Sequence, residues 1–318
     1  MKIIGEVNDI SFRADGPVCC AFGYFDGMHL GHQRVLKEAL SSGMKSAVMT
    51  FINRPMNYIT GSGYTASQLM SADERVGHLE RMGFDYLFLF EFNDRIMNTT
   101  KEDFVRDYIH RLGIVKAVCG TDYTFGKGRE GNTKNLPELC APYGIETDIV
   151  DDVYFLGELI SSTGIRECLR SGDITGARQR LGRFYSVSGT VSRGRHIGHS
   201  LGYATANIVP SPELVLPKNG VYLTRCTADG RSYLSVSNVG VNPTVSDEGK
   251  ICLESHLFGT DEEMYGKKLR VEFLMRLRDE HRFSGTAELS EQIGRDIDIV
   301  KDLYEIQDIY TGMQGKQL

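Results

Sequence analysis

The 318-residue chain has no tryptophan, an absence that by itself excludes nothing. It also has no long apolar run. The longest greasy segment, Tyr86-Leu87-Phe88-Leu89-Phe90, stops at Glu91 and is far too short to span a bilayer, so no membrane role is expected. Met1-Lys2-Ile3-Ile4-Gly5-Glu6 contains no apolar stretch of signal-peptide length. Cys-x-x-Cys is missing. The seven cysteines are Cys19, Cys20, Cys119, Cys140, Cys168, Cys226 and Cys252. An odd number without that motif indicates neither a disulfide framework nor a zinc site, and reduced thiols in a cytoplasmic protein are the expectation. Positive charge is not in excess. The 36 Lys and Arg against 42 Asp and Glu leave a net charge of −6, which argues against a general nucleic-acid binder. Phosphorylated ligands stay open, because they need only a local pocket of positive potential.

With 41% hydrophobic and 25% charged residues, long disorder is not expected, and the length suggests two domains at about 150 residues each. The first half alternates strand and helix patterns. Strands are expected at Val18–Phe25, Ala47–Phe51, Tyr86–Phe90, Val115–Cys119 and Thr147–Val150. Helices are expected at 31–40, 71–82, 101–112 and 136–143, with Ser71 and Glu74 as a capping box. Such alternation implies a doubly wound parallel α/β sheet. After about residue 182 the period becomes two: Tyr185–Val191, Ala206–Val209, Val221–Cys226, Tyr233–Val239, Cys252–Leu257 and Leu269–Leu274. That predicts an all-β domain, a small closed barrel. Leu289, Ile293, Ile297, Val300 and Tyr304 then form the apolar stripe of a terminal helix. The expected domains are 1–182 and 183–318, with Ile174–Leu181 as connector. Nothing in the sequence specifies a homo-oligomer or excludes one.

Five segments could carry chemistry. Gly23-Tyr24-Phe25-Asp26-Gly27-Met28-His29-Leu30-Gly31-His32 lies where the first long strand meets the first helix, the usual ligand crevice of a doubly wound sheet. His29 and His32, with Gly31 between, could both face a phosphate at that helix start. In Ile160-Ser161-Ser162-Thr163-Gly164-Ile165-Arg166, hydroxyls and a guanidinium gather at another helix start, which suits a polyphosphate. The stretch Gly120 to Asn132 is glycine-rich, aromatic and basic. Tyr123 and Phe125 beside Lys127 and Arg129 would suit a planar ring bearing a phosphate. In the β half, Gly189, Gly194, Gly198 and Gly202 allow close backbone approach to phosphates, and Thr205 and Asn207 alternate onto one strand face, where both oxygens could reach a hard cation. Glu254 sits on an apolar strand out of phase with Leu253 and Leu257. It is a candidate base for a hydroxyl if it points into a phosphate site.

Taken in order, these segments resemble the bacterial bifunctional riboflavin kinase/FMN adenylyltransferase family. Gly23–His32 is similar to its G-x-F-D-G-x-H-x-G-H segment, Gly120–Gly126 to G-x-[DN]-[FY]-x-F-G, Ile160–Arg166 to I-S-S-T-x-I-R and Leu201–Asn207 to L-G-[FY]-P-T-A-N. Pro217–Tyr222, Asn238-Val239-Gly240, Glu254-Ser255-His256 and Leu277-Arg278-Asp279-Glu280 continue the match. The resemblance implies ATP with Mg²⁺ as co-substrate and riboflavin, FMN and FAD as substrates or products. It implies catalytic roles for Glu254, His29 and His32, and a nucleotide site built on Gly23, Phe25, Asp26, Gly31, Ser162, Thr163 and Arg166. In the β half it implies nucleotide contacts at Gly189, Gly194, Gly198 and Thr205, with Thr205 and Asn207 holding the metal. It places flavin against Asp122, Tyr123, Phe125, Arg129 and Arg278. Three departures stand out. Thr50-Phe51-Ile52-Asn53-Arg54-Pro55 replaces T-F-D-P-H-P, Ala204 replaces a proline, and His199 stands where Lys or Arg is usual. A kinase with a degenerate first domain, and a flavin- or nucleotide-binding regulator, remain alternative readings.

Overall fold

The computed structural model describes residues 1–5, 12, 14–61, 68–192, 204–241, 251–260 and 262–281, together with 288, 291, 292, 294 and 295. Contacts divide the chain into two units. The first holds Met1–Arg166, Gln179–Gly182 and Pro212–Leu214. The second holds Glu167–Arg178, Arg183–Ser211 and Val215–Leu318.

In the first unit, β1 (Lys2–Ile4), β2 (Val18–Phe22) and α1 (Leu30–Leu40) are followed by β3 (Lys45–Phe51), α2 (Pro55–Thr60), α3 (Ala72–Met82) and β4 (Tyr86–Phe90). Short helices α4 (Asp94–Met97) and α5 (Lys101–Phe104) lead to β5 (Ile114–Gly120). A hairpin of β6 (Thr124–Phe125) and β7 (Gly131–Asn132), helix α6 (Leu136–Cys140) and β8 (Glu146–Val150) come next. The hairpin β9 (Tyr154–Phe155) and β10 (Glu158–Leu159) precedes α7 (Ser162–Ser171) and α8 (Ile174–Leu181), two helices whose residues are divided between the units. The main sheet runs β1-β4-β3-β2-β5-β8, and every neighbouring pair is parallel. Alternate residues of each strand face opposite sides, so the sheet is packed twice. Cys20, Phe22, Met49 and Phe88 meet Phe104, Tyr108 and Leu136 on one face. Cys19, Ala21, Val48 and Leu87 meet Val35, Leu36 and Leu79 on the other. Strand order reverses at β2, which pairs with β3 on one side and β5 on the other. The loops leaving β2 and β5 therefore flank the switch point, where open α/β sheets present a ligand crevice.

The second unit contains a closed antiparallel barrel in the order β11-β12-β15-β14-β13-β16. Its strands are β11 (Tyr185–Ser192), β12 (Ala204–Pro210), β13 (Gly220–Ala228), β14 (Arg231–Val241), β15 (Ile251–Leu257) and β16 (Lys268–Arg278). The interior combines Val187, Tyr222, Leu253, Leu257 and Phe273 with a buried hydroxyl chain. In that chain Thr224 Oγ1 lies 2.7 Å from the hydroxyls of both Ser235 and Ser237, and Ser237 Oγ lies 2.6 Å from Ser255 Oγ. Each hydroxyl satisfies the next, so none is buried at the full cost of an unmade bond. The expected fold class, a doubly wound α/β sheet followed by a small barrel, is the one found. The stripe Leu289, Ile293, Ile297, Val300 and Tyr304 lies outside the described residues.

Candidate active sites

The chain leaving β2 must turn sharply to begin α1. Phe25 (φ 56°), Gly27 (φ 77°) and Met28 (φ 41°) all take left-handed backbone conformations. A Cβ on Gly27 would lie 2.7 Å from Leu69 Cδ1, so both the conformation and the space require glycine there. His29, not Gly31, marks the helix start, and its Nδ1 accepts the His32 amide at 3.3 Å. The His29 and His32 rings stack with centroids 3.6 Å apart, and Phe25 meets His32 edge-on at 5.4 Å. A Cβ on Gly31 would come within 3.2 Å of the His29 ring. The two histidines are therefore a packed pair. His29 is buried, with one nitrogen committed to the helix cap.

Asp26 is also buried, and it joins three segments. Its carboxylate forms an ion pair with Arg166 and accepts the Leu69 amide at 2.8 Å. Ser162 Oγ donates to its carbonyl at 2.9 Å. Burial pushes the Asp26 carboxyl up, against the opposing pull of Arg166 and the Leu69 amide. The sequence suggested direct ligand contacts for Asp26, Ser162 and Arg166. In the structure these three residues hold one another. The helix cap is Ser161, whose Oγ accepts the Gly164 amide at 3.2 Å, and Thr163 is exposed on the first turn of α7. Arg54, just after β3, is half-buried. Burial, and then the like charge of Arg166, lower its pKa, while Asp26 works the other way.

The loop after β5 sorts its residues by polarity. Phe125 is buried, and Tyr123 stacks on it at 5.7 Å and leans on Phe22 at 5.8 Å. Burial drives the Tyr123 hydroxyl well above its ordinary pKa. These rings belong to the packing of the sheet. Asp122, Lys127 and Arg129 are exposed, and Arg129 Nε donates to Thr124 Oγ1 at 3.0 Å.

In the barrel, strand register brings Glu254 opposite Asn207 on β12 and opposite Asn238 on β14. Directly opposed residues share a face, so two amides flank the carboxylate. Leu253, Ser255 and Leu257 are buried and Glu254 is half-buried, as their opposite phases require. Glu254 has no hydrogen bond or ion pair to its side chain among the described residues, and burial raises its pKa. Asn238 Nδ2 donates to Glu280 Oε1 at 3.1 Å, while Asn238 Oδ1 is buried without a partner among the described residues. His256, two residues on, has its pKa pushed down to about 4 by burial and stands opposite Thr205 in the β12–β15 register. Arg278 Nη1 donates to the Asp279 carbonyl at 3.1 Å. The close approach that Gly189 permits is to β12. A Cβ there would lie 2.5 Å from the Val209 carbonyl oxygen. Gly194, Gly198 and Gly202 lie outside the described residues, as does the Thr205 side chain. Asn238 is the residue that sequence reasoning missed as a site group. Its motif was visible, but only the β14–β15 register puts it beside Glu254. The side-chain oxygens of Asn207 and Asn238 are hard donors of the kind Mg²⁺ prefers, and the orphaned Asn238 Oδ1 fits such a role.

A parallel-sheet unit and a barrel unit, each with its own polar site, match two known families in the same order. The FAD synthetase family matches residues 12–164 and the riboflavin kinase family matches residues 181–304. A bifunctional riboflavin kinase/FMN adenylyltransferase of Bacillus subtilis is 32% identical over 283 residues, covering 87% of this chain and 89% of its own length. The chain belongs to the bifunctional riboflavin kinase/FMN adenylyltransferase family. The Pseudomonas fluorescens member is 32% identical over 303 residues, covering 93% of this chain and 96% of its own. A solved structure from Streptococcus pneumoniae, described as a macrolide-efflux protein, is 28% identical with a TM-score of 0.83. It covers 95% of this chain and 99% of that one. Among the described residues no helix is long and apolar enough to cross a membrane. Family membership identifies the chain as a transferase with both a kinase and a nucleotidyltransferase half. Against the family pattern, Arg54 occupies the position of a usual histidine.

Proposed function

We propose that the barrel converts riboflavin and ATP to FMN, and that the parallel-sheet unit converts FMN and a second ATP to FAD and pyrophosphate. The division of labour falls near residues 182 and 183. The observation that carries this reading is Glu254, a half-buried carboxylate with raised pKa, flanked by Asn207 and Asn238.

In the kinase, Glu254 takes the proton of the ribityl hydroxyl as that oxygen attacks the γ-phosphorus and ADP departs. Its raised pKa makes it a better base than a surface glutamate. Thr205 and Asn207 would hold the Mg²⁺ that accompanies ATP, nucleotide contacts are assigned to Gly194 and Gly198, and Arg278 contacts flavin. In the adenylyltransferase, a phosphate oxygen of FMN attacks the α-phosphorus and the bond to pyrophosphate breaks. No protein nucleophile is needed. His29 and His32 neutralise charge at the α-phosphate, and Thr163, exposed at the start of α7, receives the pyrophosphate, with Ser162 and Arg166 held beside it by Asp26. Gly23, Phe25, Asp26 and Gly31 form the wall of that site. Asp122 and Arg129 meet the flavin phosphate end, backed by Tyr123 and Phe125. Arg54 adds fixed positive charge to the same region, which supports a live site despite the lost Asp and His. Preorganised charge of this kind is usually the largest catalytic contribution. The cysteines among the described residues are free and mostly buried, which suits a reducing, cytoplasmic setting.

Incubation with riboflavin, ATP and Mg²⁺, followed by chromatographic separation of the flavins, tests the reading. FMN and FAD together support it. FMN alone, including after FMN is supplied directly, would leave only the kinase. Neither product would leave a binding protein.

A further inference from the structure

Arg75, in the first turn of α3, is completely buried at 0% exposure. A buried guanidinium normally meets a carboxylate, because desolvating an unpaired charge costs several kcal/mol. No ion pair to Arg75 exists among the described residues, and the nearby Asp26 is already paired to Arg166. Arg75 instead binds main-chain carbonyls. Nη1 donates to the Tyr24 carbonyl at 3.2 Å, and Nη2 donates to the carbonyls of Phe51 at 2.6 Å and Ile52 at 3.3 Å. The guanidinium lies 4.4 Å from the Tyr24 ring centre. Thr50 Oγ1 donates to the same Tyr24 carbonyl at 3.1 Å. The capping box of Ser71 and Glu74 fixes the helix end from which Arg75 projects.

The chosen carbonyls are not scattered. Tyr24 follows β2, and Phe51 and Ile52 lie at the end of β3, its neighbour in the sheet. Both segments leave the carboxyl ends of adjacent strands, and the one after β2 borders the switch point. One carries Asp26, His29 and His32, and the other carries Arg54. The fork of a guanidinium can hold both at once, whereas an ammonium is a point charge. It also turns three carbonyl oxygens toward itself.

We propose that Arg75 is a positioning residue for adenylyl transfer, tying the histidine loop and the Arg54 segment into one body. The proposal rests on the adenylyltransferase reading above. The test measures FAD formation from FMN and FMN formation from riboflavin on the same preparations of full-length protein. Arg75→Lys keeps charge but loses the fork, and Thr50→Val removes the second donor to the Tyr24 carbonyl. Misplacing a site from a distance can cost on the order of 10²-fold. Arg75→Lys is expected to lower kcat for FAD formation at least about tenfold, with KM for ATP within about threefold. FMN formation should stay within about twofold of the parent. Thr50→Val should lower the same kcat by a smaller factor. Parental kcat in a folded Arg75→Lys would overturn the proposal, as would a rise in KM alone. If Arg75→Lys does not fold, Thr50→Val decides, and parental FAD formation in that variant overturns it. A parent protein that makes FMN but no FAD overturns the adenylyltransferase reading, and the proposal with it.

Discussion

Glu254 and Asp26 are both carboxylates withdrawn from solvent, and their surroundings separate them. Asp26 is ion-paired and hydrogen-bonded, so its charge is held in place. Glu254 has only the burial that raises its pKa. The proposed roles follow from this contrast, with Asp26 holding structure and Glu254 moving a proton. Glu254→Gln is expected to lower FMN formation by about 10²–10⁴-fold, the usual contribution of a general base, while the barrel stays folded. Near-parental turnover would remove Glu254 from the role. The sign of the pH dependence follows from the same burial. A raised pKa keeps the base protonated to a higher pH than an ordinary glutamate, so activity is lost earlier on acidification. The acid limb of the kinase pH profile should therefore lie above the usual carboxylate range, and a limb at or below that range would contradict the assignment. For Asp26, removing one partner of a buried pair leaves an unpaired charge. Asp26→Ala should lose about 3–5 kcal/mol in urea unfolding of the first unit, and a loss under about 1 kcal/mol would mean that the pair is dispensable.

Elements were legible where one periodicity governed them from end to end. The strand at Tyr86–Phe90 and the helix at Ile174–Leu181 stand where the pattern puts them, and the Ser71–Glu74 capping box forms as its spacing implies. The helix expected over residues 101–112 does not run true. After α5 the chain widens to a π turn over Val105–Ile109 and tightens to a 3₁₀ turn over His110–Leu112. Val105, Tyr108, Ile109 and Leu112 are all buried, and the wider turn is part of how that run meets the sheet. A search at 3.6 residues per turn cannot register such a change. The barrel interior was legible in phase but not in chemistry. Alternation showed which residues turn inward, yet Thr224, Ser235, Ser237 and Ser255 are tolerated there only because register pairs their hydroxyls. Register likewise made the Asn207–Glu254–Asn238 row, which no linear spacing displays. Gly189 was legible as a close approach, but its neighbour is a strand. Gly189→Ala would force a methyl to 2.5 Å from the Val209 carbonyl oxygen. Overpacking of this kind costs about 1–3 kcal/mol, which chemical denaturation of the variant would read. An unchanged midpoint would show that β11 and β12 can part without penalty.

At the scale of the whole molecule, the chain places two phosphate chemistries on two units with separate cores, and this makes their independence testable. The residues assigned to adenylyl transfer, His29, His32, Ser162, Thr163 and Arg166, belong to the first unit. Those assigned to the kinase, Thr205, Asn207 and Glu254, belong to the second. No assigned residue serves both reactions, so each can be removed without the other. Given riboflavin, ATP and Mg²⁺, His32→Ala should accumulate FMN and make little FAD, because the barrel is untouched and its product has no exit. Given FMN instead, Thr205→Ala should make FAD at the parental rate, although it phosphorylates riboflavin poorly. The crossed design matters because either variant alone could be explained by partial unfolding, whereas two variants with opposite single losses cannot. His32 suits the test because it sits on the first turn of α1 while His29 supplies the cap, so its loss leaves the helix start intact. Equal loss of both reactions in either folded variant would show that the two halves act as one catalytic body.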